Sequence, residues 1–232
     1  MIKSSSQRTK PAARAKRARR PRPAKARDRD TEQRILDAAH TVFVRAGTAG
    51  ARTQEIAKQA GVNSALLHYY FRSKARLAEA VFMRAAAQIF PAVLRILGSA
   101  AALEDKVEQI VRVELDQLLE APYLATYILS ELAHHPERAH QLAHAMGVVP
   151  SNVGAAVFGV LRDQIAGEVR AGRMRQIAPE QFVVNLLSLC VFPFAARPML
   201  MAVLGIDQPG FTEFISRRRK ELASFFLSAI RP

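Results

Sequence analysis

One cysteine in 232 residues, Cys190, excludes an internal disulfide and suits a reducing, cytoplasmic setting. It sits in the apolar run NLLSLCVF, where a free thiol packs as a small hydrophobe. The opening residues lack the apolar stretch of a signal peptide. No run reaches about 18 uninterrupted apolar residues, so no membrane contact is expected. The nearest, VVNLLSLCVFPFAARPMLMAVLG, is broken by Asn185, Pro193, Arg197 and Pro198 and reads as a buried helix. Also missing are a P-loop, a GxGxxG after a strand, a GxSxG and an HExxH. Acidic residues are scattered singly among helical neighbours, as on solvated faces. No catalytic residues and no cofactor are expected, and the chain does not read as an enzyme.

Acidic residues are scarcest where basic ones crowd. Residues 1–30 hold 12 Lys+Arg against Asp28 and Asp30, a net +10, which leaves only +4 of the total +14 for the other 202 residues. With almost nothing to bury, this stretch has the composition of a disordered basic arm. Such an arm next to a DNA-reading element can follow phosphates or enter the minor groove, giving affinity that is mainly non-specific. Half of the chain is apolar, enough for a sizeable core.

No segment after Asp30 keeps the period of two expected of strands, whereas apolar residues recur three or four apart throughout, so the fold class is all-α. A first helix opens at Asp30 or Thr31, turns Ile35, Leu36, Ala39, Val42 and Phe43 inward, and stops at Gly47. Thr53 can cap a short second helix, TQEIAKQA, ending at Gly61, and Asn63 can cap a third, SALLHYY, two residues later. Two short helices joined by a glycine-containing turn are a helix-turn-helix signature. Ser73 can cap a fourth helix running toward Pro91. Further helices are expected near 103–119, 122–134, 136–146, 151–171, 179–201 and 211–229. The organisation is then a basic arm (1–30), a three-helix helix-turn-helix head (31–76), and a larger helical body (77–232) that begins with the connecting helix.

In such a pair the second helix enters the DNA major groove while phosphate contacts set its register. Ser64 and Ala65 sit at its exposed start. One turn on, His68 and Tyr69 share that face while Leu67 and Phe71 turn inward. Tyr69 and Tyr70 combine a flat ring with a hydroxyl that can reach phosphate, and Lys74 offers an ammonium at the next helix start.

The segments RILDAAHTVFVRAG, TQEIAKQAGV and NSALLHYYFRSKARLAEAV, with their spacings intact, resemble the DNA-binding domain of the TetR family of transcriptional regulators over residues 31–82. Beyond that the body resembles the family in outline. The resemblance implies a repressor that binds double-stranded DNA at a palindromic operator, with contacts from Thr53, Gln54, Asn63, Ser64, Ala65, His68, Tyr69, Tyr70 and Lys74. Two positions depart from the frequent Gly-Thr-Leu-Tyr. Leu66 lacks a phosphate-binding hydroxyl, and His68 stands where a tyrosine is common.

Two-fold operators are read by dimers. The helices at about 179–201 and 211–229 carry more apolar surface than one pair can hide, including Phe211, Phe214, Ile215, Leu222, Phe225 and Phe226. The resemblance implies a homodimer through them and a small-molecule effector in the body, for which Tyr123, Tyr127, Phe158 and Phe192 are candidate walls. SELAHHPERAHQLAHAM gathers His134, His135, His140 and His144 with Glu131, but Pro136 interrupts the run and no metal site is expected. The rival reading is a DNA-binding protein without a small-molecule sensor, architectural or controlled by a partner protein.

Overall fold

The computed structural model describes residues 24–145 and 153–232, and among them every regular element is a helix. Eleven follow in order: α1 (Ala24–Gly50), α2 (Thr53–Ala60), α3 (Ser64–Phe71), α4 (Lys74–Leu97), α5 (Leu103–Glu120), α6 (Leu124–His134), α7 (Glu137–Ala145), α8 (Val153–Arg170), α9 (Pro179–Ala195), α10 (Arg197–Leu204) and α11 (Gln208–Ala229). Most of the basic arm, residues 1–23, lies outside the described residues.

Helix α1 starts at Ala24, several residues before the expected Asp30. The segment AKARDRD supplies good helix formers, and Pro23 in the sequence marks where they begin. At its far end Gly47 takes φ +68°, the left-handed conformation open to a residue without Cβ, so the helix breaks where the sequence indicates. Pro91 does not end α4. Ile89, Val93 and Ile96 on either side of it are buried, and their packing outweighs the one missing hydrogen bond. The expected helix 179–201 is two helices, α9 and α10, bent by 72° at Ala196. Pro198 favours a helix start there rather than a continuation.

Two cores form. The head core joins Ile35, Phe43, Ile56, Leu67, Phe71, Leu77 and Phe82, and it also takes in Leu124, Tyr127 and Ile128 of α6 and Leu142 of α7. The body core joins the end of α4 with α5, α8, α9 and α11, and contains T-shaped pairs Phe182–Phe226 and Phe194–Phe211. Helix α4 is long and apolar enough to cross a membrane by composition, but its Leu77, Ala78, Val81, Phe82, Ala85 and Ala86 are fully enclosed in the head core. It therefore runs from one core into the other, while α6 packs on α1 and α4 on one side and on α9 on the other. Burying Phe43 and Phe82 completely is worth ~2–3 kcal/mol each on an area basis.

Buried polar side chains mark two places where elements lock, and another stands alone. Lys106 donates from Nζ to Leu97 O and Gln164 Oε1, both at 2.6 Å, tying α5 to the end of α4 and to α8. Arg138 of α7 pairs with Glu131 of α6, and its guanidinium lies 5.7 Å from the Phe82 ring centroid. Glu114 of α5, which the sequence pattern assigns to a solvated face, is 2% exposed, and its Oε1 has no partner.

Candidate nucleic-acid interface

The glycine turn between α2 and α3 is built as the sequence implies. Gly61 takes φ +65°, and the Val62 N–H donates to Ala57 O at 3.0 Å, closing the end of α2. Asn63 caps α3, its Oδ1 accepting from Leu66 N at 2.7 Å. Leu67 and Phe71 anchor α3 in the head core. That anchoring turns Ser64, Ala65, His68 and Tyr69 outward together, and Tyr69 is 74% exposed. A large aromatic held that far into solvent by a rigid helix is available to a partner surface.

Other expected contacts are placed differently. Thr53 is not the cap of α2. It already stands in the helix, half-buried, and Arg52 precedes it in extended conformation with no side-chain cap bond. The first N–H groups of α2 therefore lack a side-chain cap, the condition in which a helix start can take an anion. Tyr70 is half-buried, packs edge-on against Tyr69 with 5.4 Å between centroids, and donates its hydroxyl to Asp28 of the α1 extension. That hydrogen bond, ahead of smaller effects, pushes its phenol up to about 12. Lys74 donates to Ala49 O at 3.0 Å, so its ammonium ties α4 to the turn before α2. Ser73 caps α4, accepting from Arg76 N at 3.2 Å.

Sequence reasoning missed Arg72. Its φ of +58° is the only positive value at a non-glycine among the described residues. Its N–H donates to His68 O at 2.8 Å, and the next N–H, of Ser73, donates to Phe71 O at 2.5 Å, the bond pattern of a γ-turn. A strained backbone of this type costs about 1–3 kcal/mol. It presents an exposed guanidinium directly after the recognition helix. Arg52 and Lys58 of the α2 region are exposed as well. The available signal was position alone, a cation at each end of the helix pair.

The four aromatics proposed as ligand walls do not meet. Tyr123 is exposed and lies under the Arg197 guanidinium at 5.1 Å from its ring centroid. Tyr127 is enclosed in the head core, where burial pushes its phenol up to about 12. Phe158 packs on the body core, and Phe192 stands exposed on α9. In the histidine run, Glu131 is taken by Arg138, and His135 faces Glu137 at 3.3 Å. No group of three metal-ligating side chains occurs among the described residues. Cys190 is fully enclosed, and burial pushes its thiol up to about 12.

Residues 35–81 match the family described as bacterial regulatory proteins, tetR family. The HTH-type transcriptional repressor NicS of Pseudomonas putida is 28% identical over 178 residues, covering 76% of this chain and 82% of that protein. The HTH-type transcriptional regulator RutR of Escherichia coli is 27% identical over 202 residues, covering 85% and 89%. The crystal structure of the transcriptional regulator FadR from Bacillus subtilis, in complex with stearoyl-CoA, superposes with a TM-score of 0.57 at 16% identity. It covers 86% of this chain and 100% of that one, a likeness of fold. The glycine-turned helix pair anchored by Leu67 and Phe71 lies within residues 35–81, so the segment that carries it is a domain of the tetR family of bacterial regulatory proteins.

Proposed function

We propose that this chain is a repressor that binds a palindromic operator as a homodimer and is released when a small molecule occupies its body. The observation that carries the reading is the outward face of α3, with Ser64, Ala65, His68 and Tyr69 exposed together on a helix fixed from beneath. Its N-terminal residues read base edges in the major groove, and Thr53, Gln54, Asn63 and Lys74 contact the flanking phosphates. Arg52 and Arg72 join these contacts. Tyr70 braces Tyr69 and reaches phosphate only where its bond to Asp28 opens. The basic arm adds sequence-independent attraction.

The dimer reading is supported by apolar residues left in solvent on the last three helices. Val184 and Phe192 of α9, Met199 and Val203 of α10 and Phe225 of α11 are each more than half exposed. Apolar exposure concentrated on consecutive elements marks a partner surface, and a second copy supplies a self-complementary one. Effector release requires a bound molecule to favour one arrangement of the two heads over the other. The lever would be α4 and α6, each packed in the head core while also touching the body.

Selection of bound duplexes from a random library tests the reading. A palindrome preferred over random DNA by about 10³ or more supports a site-specific regulator. Uniform binding would replace it with the architectural alternative.

A further inference from the structure

A cavity where the body meets the head core has uneven chemistry. It has a volume of about 140 Å³ and is walled by Phe90 and Val93 of α4, Leu118 of α5, Leu132 of α6, and Leu187 and Val191 of α9. Glu114 is the single ionisable group on its wall. That side chain is 2% exposed, its Oε1 is buried without a hydrogen-bond partner, and no salt bridge reaches it among the described residues. Arg218 of α11, a cation on a helix packed against α5, gives its Nε and Nη2 to Leu189 O at 3.2 and 2.9 Å. An acidic side chain in an apolar chamber without a counter-ion is costly, and a structure that keeps one leaves a place for the missing donor.

We propose that this cavity is the effector site and that it takes a compact apolar amine, whose ammonium donates to the Glu114 carboxylate while its hydrocarbon fills the space between α4, α5, α6 and α9. The proposal rests on the effector-release reading above and names its ligand. Size limits the hydrocarbon to about one six-membered ring, since a cavity of roughly 150 Å³ holds a benzene. Charge selects the head group. A hydrocarbon leaves the carboxylate unpaired, an alcohol supplies a hydrogen bond without the charge, and an acid adds a second negative charge beside the first. An ammonium alone supplies both. The site touches the two helices that enter the head core, α4 and α6, so its occupancy can bear on the heads.

The test uses the full-length protein and four matched probes, benzylamine, benzyl alcohol, toluene and benzoate, titrated calorimetrically at pH 8. Benzylamine should bind at least about tenfold tighter than toluene or benzyl alcohol, and benzoate should not bind. Glu114→Gln, which keeps the shape, should weaken benzylamine about ten- to a hundredfold and leave toluene unchanged. A urea midpoint for the unliganded variant confirms that it is folded. Val191→Phe narrows the cavity with Glu114 intact and should lose both benzylamine and toluene. Benzylamine binding no tighter than toluene, or unaltered by either substitution, would overturn the proposal. The same probes are added to the protein on its selected operator duplex. Amine binding without DNA release keeps the site and removes the effector reading. Release by other compounds with no amine binding keeps the effector reading and removes this ligand class.

Discussion

Glu114→Gln should change stability in a way that depends on pH. Burial lifts the Glu114 carboxyl from an ordinary 4.5 to about 7, because no partner compensates the lost hydration of its charge. The folded-state value lies above the unfolded one, so the folded protein holds its proton more tightly. The penalty is absent below about 4.5, grows as pH rises, and is complete above about 7. At about 1.4 kcal/mol per pH unit the full penalty is ~3 kcal/mol. Titratable neighbours do not confuse the window. The Cys190 thiol of α9 sits near 12, the Arg218 guanidinium beside it stays charged, and the cavity walls from α4 and α6 are apolar. Glutamine has the same shape and no charge. The variant should lie within about 1 kcal/mol of wild type at pH 5 and exceed it by up to ~3 kcal/mol at pH 8. Urea unfolding at fixed protein concentration, at pH 5, 6.5 and 8, measures the difference. A gap that is constant with pH, or one that closes as pH rises, would refute the reasoning.

Other expectations rest on the head and its junction with the body. Tyr69→Ala should weaken operator binding by about 1–3 kcal/mol with thermal melting unchanged, as anisotropy and calorimetry can check. Arg72→Gly should relieve the positive φ and stabilise the fold by about 1 kcal/mol, while lowering the log–log salt slope of DNA binding by about 1. Glu131→Gln should destabilise by about 3 kcal/mol or more, because Arg138 is left charged and enclosed against Phe82, whereas replacing the pair together by Leu and Met should cost little. Deleting residues 1–23 should flatten the salt dependence of operator binding. An unchanged slope would remove the arm from the interface.

The features readable along the chain are those set within a few residues. The Gly61 turn, the Asn63 and Ser73 caps, the inward Leu67 and Phe71, and the helix break at Gly47 all follow from backbone freedom, side-chain reach over three residues, and the 3.6-residue period. The helix-turn-helix and the family likeness rest on these local features, and so does the outward set Ser64, Ala65, His68 and Tyr69.

Other features depend on partners far away in sequence. Tyr70 meets Asp28, Lys74 meets Ala49 and Arg34 meets the Ala60 carbonyl, at separations of 42, 25 and 26 residues, and no local pattern encodes such pairings. The 72° bend at Ala196 and the passage of α4 through Pro91 depend on which side chains the cores enclose. Glu114 shows the difference most plainly. Its neighbours in the chain read as an ordinary amphipathic helix. Its isolation arises from α4, α6 and α9 closing around it, because the cost of a charge depends on surroundings that only folding assembles.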